Sequence, residues 1–330
     1  KNLILIYVES LEQTYSDEAI FGADLLERLD ALPGVSFESY VPAPGTGWTI
    51  AAMVATQCGI PLQFVTRLDD TETGEHVRTF LPGAVCLPDV LHRFGYRNVF
   101  MGGASLAFAG KGKFLTTHHY DEVYGFKDWL KARSTLHEFN LWGIYDDDLF
   151  SRAKEKLVAL HDTGAPFNLT LLTLDTHHPE GYYSTSCRTQ GPREFATIVR
   201  CASGEVAEFV DFARSRGYLE DTNIVIVGDH LAMPNPVYSK LLSSPQRRIF
   251  NKFISTTALE KSTDEIIPFD LFPTVLEYVG IGVDGQRLAL GRSGVQRSGT
   301  VWPQGPRMET SPEILNFSRR YEELWTTATE

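Results

Sequence analysis

Four short segments of this 330-residue chain combine residue types and positions that could do chemistry. In Ile4-Leu5-Ile6-Tyr7-Val8-Glu9-Ser10 a carboxylate ends an apolar run of strand length. Ligands collect at the carboxyl ends of strands in open α/β sheets, so Glu9 is a candidate ligand; a capping or first-turn carboxylate is the alternative. In Gly45–Val54 a Gly-rich loop opens a helix at Thr49. Unpaired N–H groups and the positive end of the helix dipole there favour an alkoxide beside a phosphoryl group, although an ordinary N-cap threonine has the same pattern. In Asn223–His230 an apolar strand runs into Gly228-Asp229-His230, where Gly228 lets a turn form and two adjacent side chains offer oxygen and imidazole to one ion. Solvated turn residues would read alike. In Leu172–Pro179 a strand ends in Asp175-Thr176-His177-His178-Pro179, and a histidine there can hold a phosphate oxygen or move a proton to a leaving alcohol. The alternative is a histidine pair on an exposed turn.

Together, Glu9, Thr49, Asp229 and His230 form a complete four-coordinate set for one divalent cation. Such an ion lowers the pKa of a threonine hydroxyl that is otherwise too weak a nucleophile near neutral pH. Three oxygens and one imidazole suit Mn²⁺ or Zn²⁺ better than Mg²⁺.

These residues need a scaffold, and the chain supplies one. Apolar runs at Leu3–Val8, Tyr96–Met101, Asn168–Leu174, Asn223–Val227, near Arg248–Ile254 and, more weakly, Val35–Tyr40 predict strands. Helical spacing predicts helices at Asp24–Ala31, Thr49–Thr56, Leu87–Phe94, Asp146–His161, Phe195–Arg216 and Phe269–Val279, with a further C-terminal helix over Pro312–Trp325. Alternation of the two is the mark of an α/β protein whose mostly parallel sheet carries helices on both faces. Pro42–Gly47 and Gly291–Gly305 read as loops. The expected organisation is a catalytic domain over 1–285 and a C-terminal extension, 286–330, lying against it.

Hydrophobic residues at 43% and charged residues at 22% fit a packed globular chain. A net charge of −12 disfavours nucleic acid as a partner and requires an anionic substrate to be held locally, by a metal or by placed cations. No apolar run approaches the roughly 18 residues of a membrane span. The chain has no initiating Met and enters an apolar strand at Leu3, so an upstream membrane portion is an open expectation. Cys58, Cys86, Cys187 and Cys201 contain no CxxC pair; two disulfides between sequence neighbours and four buried thiols are both open on count and spacing.

The order of these segments resembles the alkaline-phosphatase superfamily, and within it the membrane-bound transferases that include lipoteichoic acid synthases and phosphoglycerol transferases of Gram-negative bacteria. The finer likeness lies in Gly47–Leu62, Asp229-His230-Leu231-Ala232-Met233 and Leu288-Ala289-Leu290-Gly291-Arg292-Ser293, with Trp142–Asp147 and Phe269–Tyr278 adding to it. The resemblance implies an alkaline-phosphatase-like fold and a periplasmic catalytic domain behind N-terminal membrane helices of an inner-membrane protein. It favours the pairs Cys58 with Cys86 and Cys187 with Cys201. It implies transfer of phosphoglycerol from phosphatidylglycerol to a periplasmic glucan, with Thr49 as nucleophile and release of diacylglycerol. His177 is then expected to steady phosphate or protonate the leaving alkoxide. Lys111, in Phe108-Ala109-Gly110-Lys111, is the expected local cation, and Phe108, Trp48, His178 and Arg292 are the other expected substrate contacts. Lipoteichoic acid synthases carry an aromatic-Asn-Arg stretch near that place which this chain lacks, so polymerising activity is not implied.

Sulfatase chemistry is disfavoured on the expectation that no C/S-x-P-x-R string for its modified nucleophile occurs. A phosphoethanolamine transferase or a phosphodiesterase of the same superfamily is the enzymatic alternative, and an inactive glucan-binding or lipid-binding module is the alternative of another class.

Overall fold

The computed structural model describes residues 1–63, 77–131, 139–299, 307–316 and 318–326. The strands are β1 (Asn2–Val8), β2 (Ser39–Tyr40), β3 (Arg97–Gly102), β4 (Glu122–Tyr124), β5 (Phe167–Leu172), β6 (Thr222–Gly228), β7 (Asn251–Ile254), β8 (Glu265–Ile266), β9 (Arg287–Leu288) and β10 (Gly291–Arg292). Six of them form the central sheet in the order β4-β3-β5-β1-β6-β7; every pairing is parallel except that of β7, which closes one edge antiparallel to β6.

The continuous apolar runs Leu3–Val8 of β1 and Ile224–Val227 of β6 follow from burial on both faces; β5, equally buried, also carries Asn168 and Thr170. Leu3, Leu5 and Tyr7 of β1 point into a core shared with the helices Thr49–Cys58, Leu87–Arg93 and Pro268–Tyr278. Ile4, Ile6 and Val8 point the other way, against the helices Asp146–His161 and Phe195–Ser215. This is the expected mostly parallel α/β sheet covered on both faces, and each such aliphatic side chain removed from water contributes roughly 1.5–3 kcal/mol. Register then does the positioning. Tyr7 pairs with Leu172 and Val8 with Gly228, so the three neighbouring strands β5, β1 and β6 end level and their next residues share one edge.

Several predicted elements differ. The helix over Asp24–Ala31 is a single turn, Glu27–Asp30, and Val35–Tyr40 keeps only the two residues of β2, with Val35 making an isolated bridge to Phe253. The C-terminal helix over Pro312–Trp325 is instead a 3₁₀ turn, Pro312–Leu315, followed by a short helix, Arg319–Glu323. Its side chains anchor to distant backbone rather than to one helical stripe: the Tyr321 hydroxyl donates to the Pro61 carbonyl at 2.9 Å and the Trp325 indole to Gln63 at 3.2 Å. The loop over Gly291–Gly305 begins as β10, which pairs with β9; residues 300–305 lie outside those described. Unforeseen are β4 and the helices Lys111–Thr117 and Phe126–Lys131.

The structure joins Cys58 to Cys86 and Cys187 to Cys201. Among the described residues no helix is long and apolar enough to cross a membrane.

Candidate active site

At the end of β1 the backbone turns sharply, with Ser10 in the left-handed region at φ 54°. That turn aims Glu9 along the sheet edge. Its N–H donates to Thr173 Oγ1 at 2.9 Å, its carbonyl accepts from the Thr176 hydroxyl, and its Oε1 accepts from Ser10 Oγ at 2.7 Å. Asp229 follows β6 and is fully buried; its Oδ1 accepts from the N–H groups of Ser10 (2.7 Å) and His230 (2.8 Å). The role of Gly228 is close approach rather than a special turn: a Cβ there would lie 1.9 Å from the Leu11 carbonyl oxygen.

Thr49 is the first residue of its helix, and the extended residue before it is Trp48, so Thr49 does not cap. Its hydroxyl instead donates to Glu9 Oε2 at 3.2 Å. The nine residues after it are all buried, three of them alanines that bring the helix close to the sheet, and Gly59 ends it in the left-handed region at φ 68°.

Glu9, Asp229 and His230 bring ligand atoms within 4.8 Å of one another. His230 Nδ1 lies 2.8 Å from the Leu231 carbonyl, which orients Nε2 toward the carboxylates, 3.4 Å from Asp229 Oδ2 and 3.7 Å from Glu9 Oε1. These separations are long for hydrogen bonds but match two metal–ligand bonds of about 2.0–2.2 Å meeting at one ion. Asp229 Oδ2 is buried without a hydrogen-bond partner. Orphaned oxygen, oriented imidazole and the Thr49 hydroxyl together fit a divalent cation. Electrostatics agree: burial, then the charge of Glu9, raises the Asp229 carboxyl to about 7. Glu9 is held below its ordinary value because the charges of His230 and His177, with hydrogen bonds from Ser10 and Thr49, outweigh its burial.

Opposite this set, Lys111 begins its helix behind a backbone kink at Ala109 (φ 56°) and Gly110 (φ 68°). It is only 6% exposed, and burial lowers its ammonium to about 8 against the pull of Glu9 and Asp229. Lys111, Trp48, Thr49, Phe108, Trp142 and His177 line one cleft with Glu9. The Phe108 ring meets Trp142 edge-on at 5.2 Å, and Trp142 lies 4.8 Å from His177. His177 Nδ1 sits 2.6 Å from the His178 carbonyl, while the His178 ring stacks on His177 at 4.6 Å and has its pKa lowered, first by burial and then by His177.

Arg292 is elsewhere. It lies in β10, its N–H donates to Asp270 Oδ1 at 2.8 Å, and it lines a separate surface cleft with Asp284 and Arg297. Burial and then the charges of neighbouring Arg287 and Arg307 lower the pKa of its side chain, and the structure does not bring this expected substrate contact into the cleft that holds Glu9 and Thr49. A second correction concerns the sulfatase string, which does occur, as Ser243-Ser244-Pro245-Gln246-Arg247. Ser243 is exposed after the short helix Tyr238–Leu241 and donates to Lys240, while Arg247 is tied to Glu12, so this run is not the residue facing the metal set. Residues not foreseen are Trp142, Ser10, Thr173 and Thr176. Each lay within a segment singled out in the sequence, Ser10 beside Glu9, Thr173 and Thr176 in Leu172–Pro179 and Trp142 in Trp142–Asp147.

A mostly parallel sheet that delivers Glu9, Asp229-His230 and a helix-opening threonine to one edge is an alkaline-phosphatase-like fold. More narrowly, a family model described as Sulfatase matches residues 1–281, and the chain belongs to that family. It is 37% identical over 308 residues to "Phosphoglycerol transferase I" of Escherichia coli O6:K15:H31, covering 88% of this chain and 38% of that protein. It is 35% identical over 340 residues to the same-named protein of Xanthomonas euvesicatoria, covering 99% and 47%. The chain thus spans less than half the length of either relative. Among solved structures, the lipoteichoic acid synthase LtaP from Listeria monocytogenes superposes with a TM-score of 0.67 at 17% identity, covering 86% of this chain and 72% of that one. The C-terminal periplasmic domain of EcEptC from Escherichia coli, a complex with Zn, gives 0.62 at 14% identity, covering 96% and 91%. These two likenesses show the fold.

Proposed function

We propose that this chain is the catalytic domain of a phosphoglycerol transferase that moves phosphoglycerol from phosphatidylglycerol to a hydroxyl of a periplasmic glucan. The observation that carries the reading is the Thr49 hydroxyl bonded to Glu9, beside the orphaned Asp229 oxygen and across a cleft from Lys111. The names of the curated relatives support the donor.

Thr49 Oγ attacks phosphorus; the Oγ–P bond forms as the bond from phosphorus to the diacylglycerol oxygen breaks, leaving a glycerophospho-threonine. Glu9 accepts the hydrogen bond that orients Thr49, takes the Thr49 proton as the Oγ–P bond forms and returns it to Oγ when that bond breaks. His177 gives a proton to the departing diacylglycerol oxygen and takes one from the acceptor hydroxyl, whose attack then breaks the Oγ–P bond. Lys111 neutralises the phosphodiester charge, and Phe108 with Trp142 walls the cleft on the His177 side. Glu9, Thr49, Asp229 and His230 would hold one divalent cation, Mn²⁺ or Zn²⁺ before Mg²⁺ by donor set, which when bound lowers the threonine pKa and offsets phosphoryl charge. In this reading residues 1–285 are catalytic, 286–330 form an extension against them, and the domain faces the periplasm of a Gram-negative bacterium from upstream inner-membrane helices.

Mass spectrometry after brief exposure to phosphatidylglycerol tests this. The expected result is a glycerophosphate adduct on Thr49, absent in Thr49→Ala, with diacylglycerol release accelerated by glucan. Full diacylglycerol release by Thr49→Ala would end the proposal, and release unchanged by glucan with no glycerophosphoryl-glucan formed would make the protein a phosphodiesterase.

A further inference from the structure

Next to the turn that carries His177 lies a second acidic group that the proposed reaction does not use. Asp146 and Asp175 are fully buried and Glu205 is 7% exposed, with one ligand atom from each within 4.8 Å of the others. Asp146 begins the 16-residue helix Asp146–His161, Asp175 lies two residues before His177, and Glu205 sits within the helix Phe195–Ser215. The first two interlock: Asp146 Oδ1 accepts from Leu174 N at 2.7 Å and Oδ2 from Asp175 N at 3.0 Å, while Asp175 Oδ2 accepts from Asp146 N at 3.2 Å. Glu205 Oε1 accepts from Ser186 Oγ.

What remains is the unusual part. Asp175 Oδ1 and Glu205 Oε2 are buried with no hydrogen-bond partner. The charges acting on the three carboxyls include one another, Asp147, Glu208 and Glu9, all of the same sign. Burial, reinforced by those charges, pushes Asp146 to about 7 and Asp175 and Glu205 well above the carboxylate range. The amino end of the helix Asp146–His161 offsets part of this negative charge, but a helix end supplies only about half an elementary charge.

We infer that Asp146, Asp175 and Glu205 form a second cation site, of the hard, all-oxygen kind that takes Ca²⁺. Ca²⁺ bonds of 2.3–2.6 Å place ligand oxygens across one ion at up to about 5 Å, as found here, and Ca²⁺ tolerates irregular carboxylate cages. Asp175 Oδ1 and Glu205 Oε2 are the free ligands, and the Asp146 oxygens each keep a second lone pair. Cys187 and Cys201, next to Glu205, are joined to each other, so no thiolate competes for a softer metal. An ion here ties the segment carrying His177 to the two helices Asp146–His161 and Phe195–Ser215, which pack together on one face of the sheet.

The test is Ca²⁺ calorimetry on chelator-stripped protein carrying His230→Ala, which weakens the catalytic set, with and without Glu205→Gln. The expected result is one Ca²⁺ per chain, a higher Tm with Ca²⁺, and at least a tenfold weaker affinity in Glu205→Gln. No uptake of millimolar Ca²⁺ by the folded His230→Ala protein, or uptake unchanged by Glu205→Gln, would overturn the inference in favour of carboxyls that share protons. If Glu205→Gln does not fold, crystals of the unaltered chain soaked in Tb³⁺ decide: an anomalous peak among the three carboxyls upholds the site, and its absence refutes it.

Discussion

Replacing Lys111 by Met should make the protein more stable and a worse enzyme. The two side chains have similar volume, and Lys111 is 94% enclosed, being 6% exposed. Its ammonium falls from 10.5 to about 8, mainly through burial. At 1.36 kcal/mol per pKa unit, that difference of about 2.5 costs the fold about 3 kcal/mol when the lysine must stay charged. A base whose folded pKa is depressed carries this penalty in full below the folded value, and the penalty fades as pH climbs from about 8 toward 10.5. Lys111→Met should therefore raise Tm by roughly 5 °C at pH 7 and by much less at pH 10. Meanwhile kcat/KM for phosphatidylglycerol should fall about 10–100-fold, the loss of one charge-assisted hydrogen bond of about 1.5–3 kcal/mol. Calorimetric melts at both pH values, beside diacylglycerol release, read the two effects. A variant less stable than the parent at pH 7, or an unchanged kcat/KM, would refute the picture of a desolvated ammonium held for an anion.

Glu9→Gln removes a carboxylate from the metal set and should weaken binding of Mn²⁺ or Zn²⁺ at least about tenfold by calorimetry, with activity falling in step. Changing Cys58 and Cys86 together to Ser releases a crosslink with a sequence separation of 28, and urea unfolding should show a loss of about 3–4 kcal/mol. Arg307→Met strands the fully buried Asp270, which Arg307 grips with both Nη1 and Nη2; a loss of about 3–5 kcal/mol is expected, read by the same melts.

Much of this molecule is legible in its sequence wherever one physical demand dominates. β1, β5 and β6 are buried on both faces, so Leu3–Val8 and Ile224–Val227 are apolar without interruption and the polar residues that follow them stand out, while β5 buries Asn168 and Thr170 as well. Glu9, Asp229, His230 and Thr49 could be read because each sits at an element's end, where local pattern and tertiary role coincide. The rest depends on contacts between distant residues. β4 has three residues and is a strand only because it pairs with β3. Trp142 reaches the cleft through a bridge between Ala104 and Gly143, and Asp146 resembles an ordinary first-turn acid until its bonds to Leu174 and Asp175 are seen. Arg292 shows the reverse case, since the likeness of its segment to a family motif does not say where its side chain packs, and the fold puts it in a cleft apart from Thr49.

The Cys58–Cys86 crosslink joins the last residue of the helix Thr49–Cys58 to the residue preceding the helix Leu87–Arg93. It closes a covalent ring whose two flanks are themselves rooted in the core, through Leu62 on one side and Phe80, Leu81 and Ala84 on the other. The clasp fixes where the helix that opens at Thr49 stops, so a change in the packing around Cys58 reaches the Thr49 hydroxyl only through a helix whose far end is already pinned.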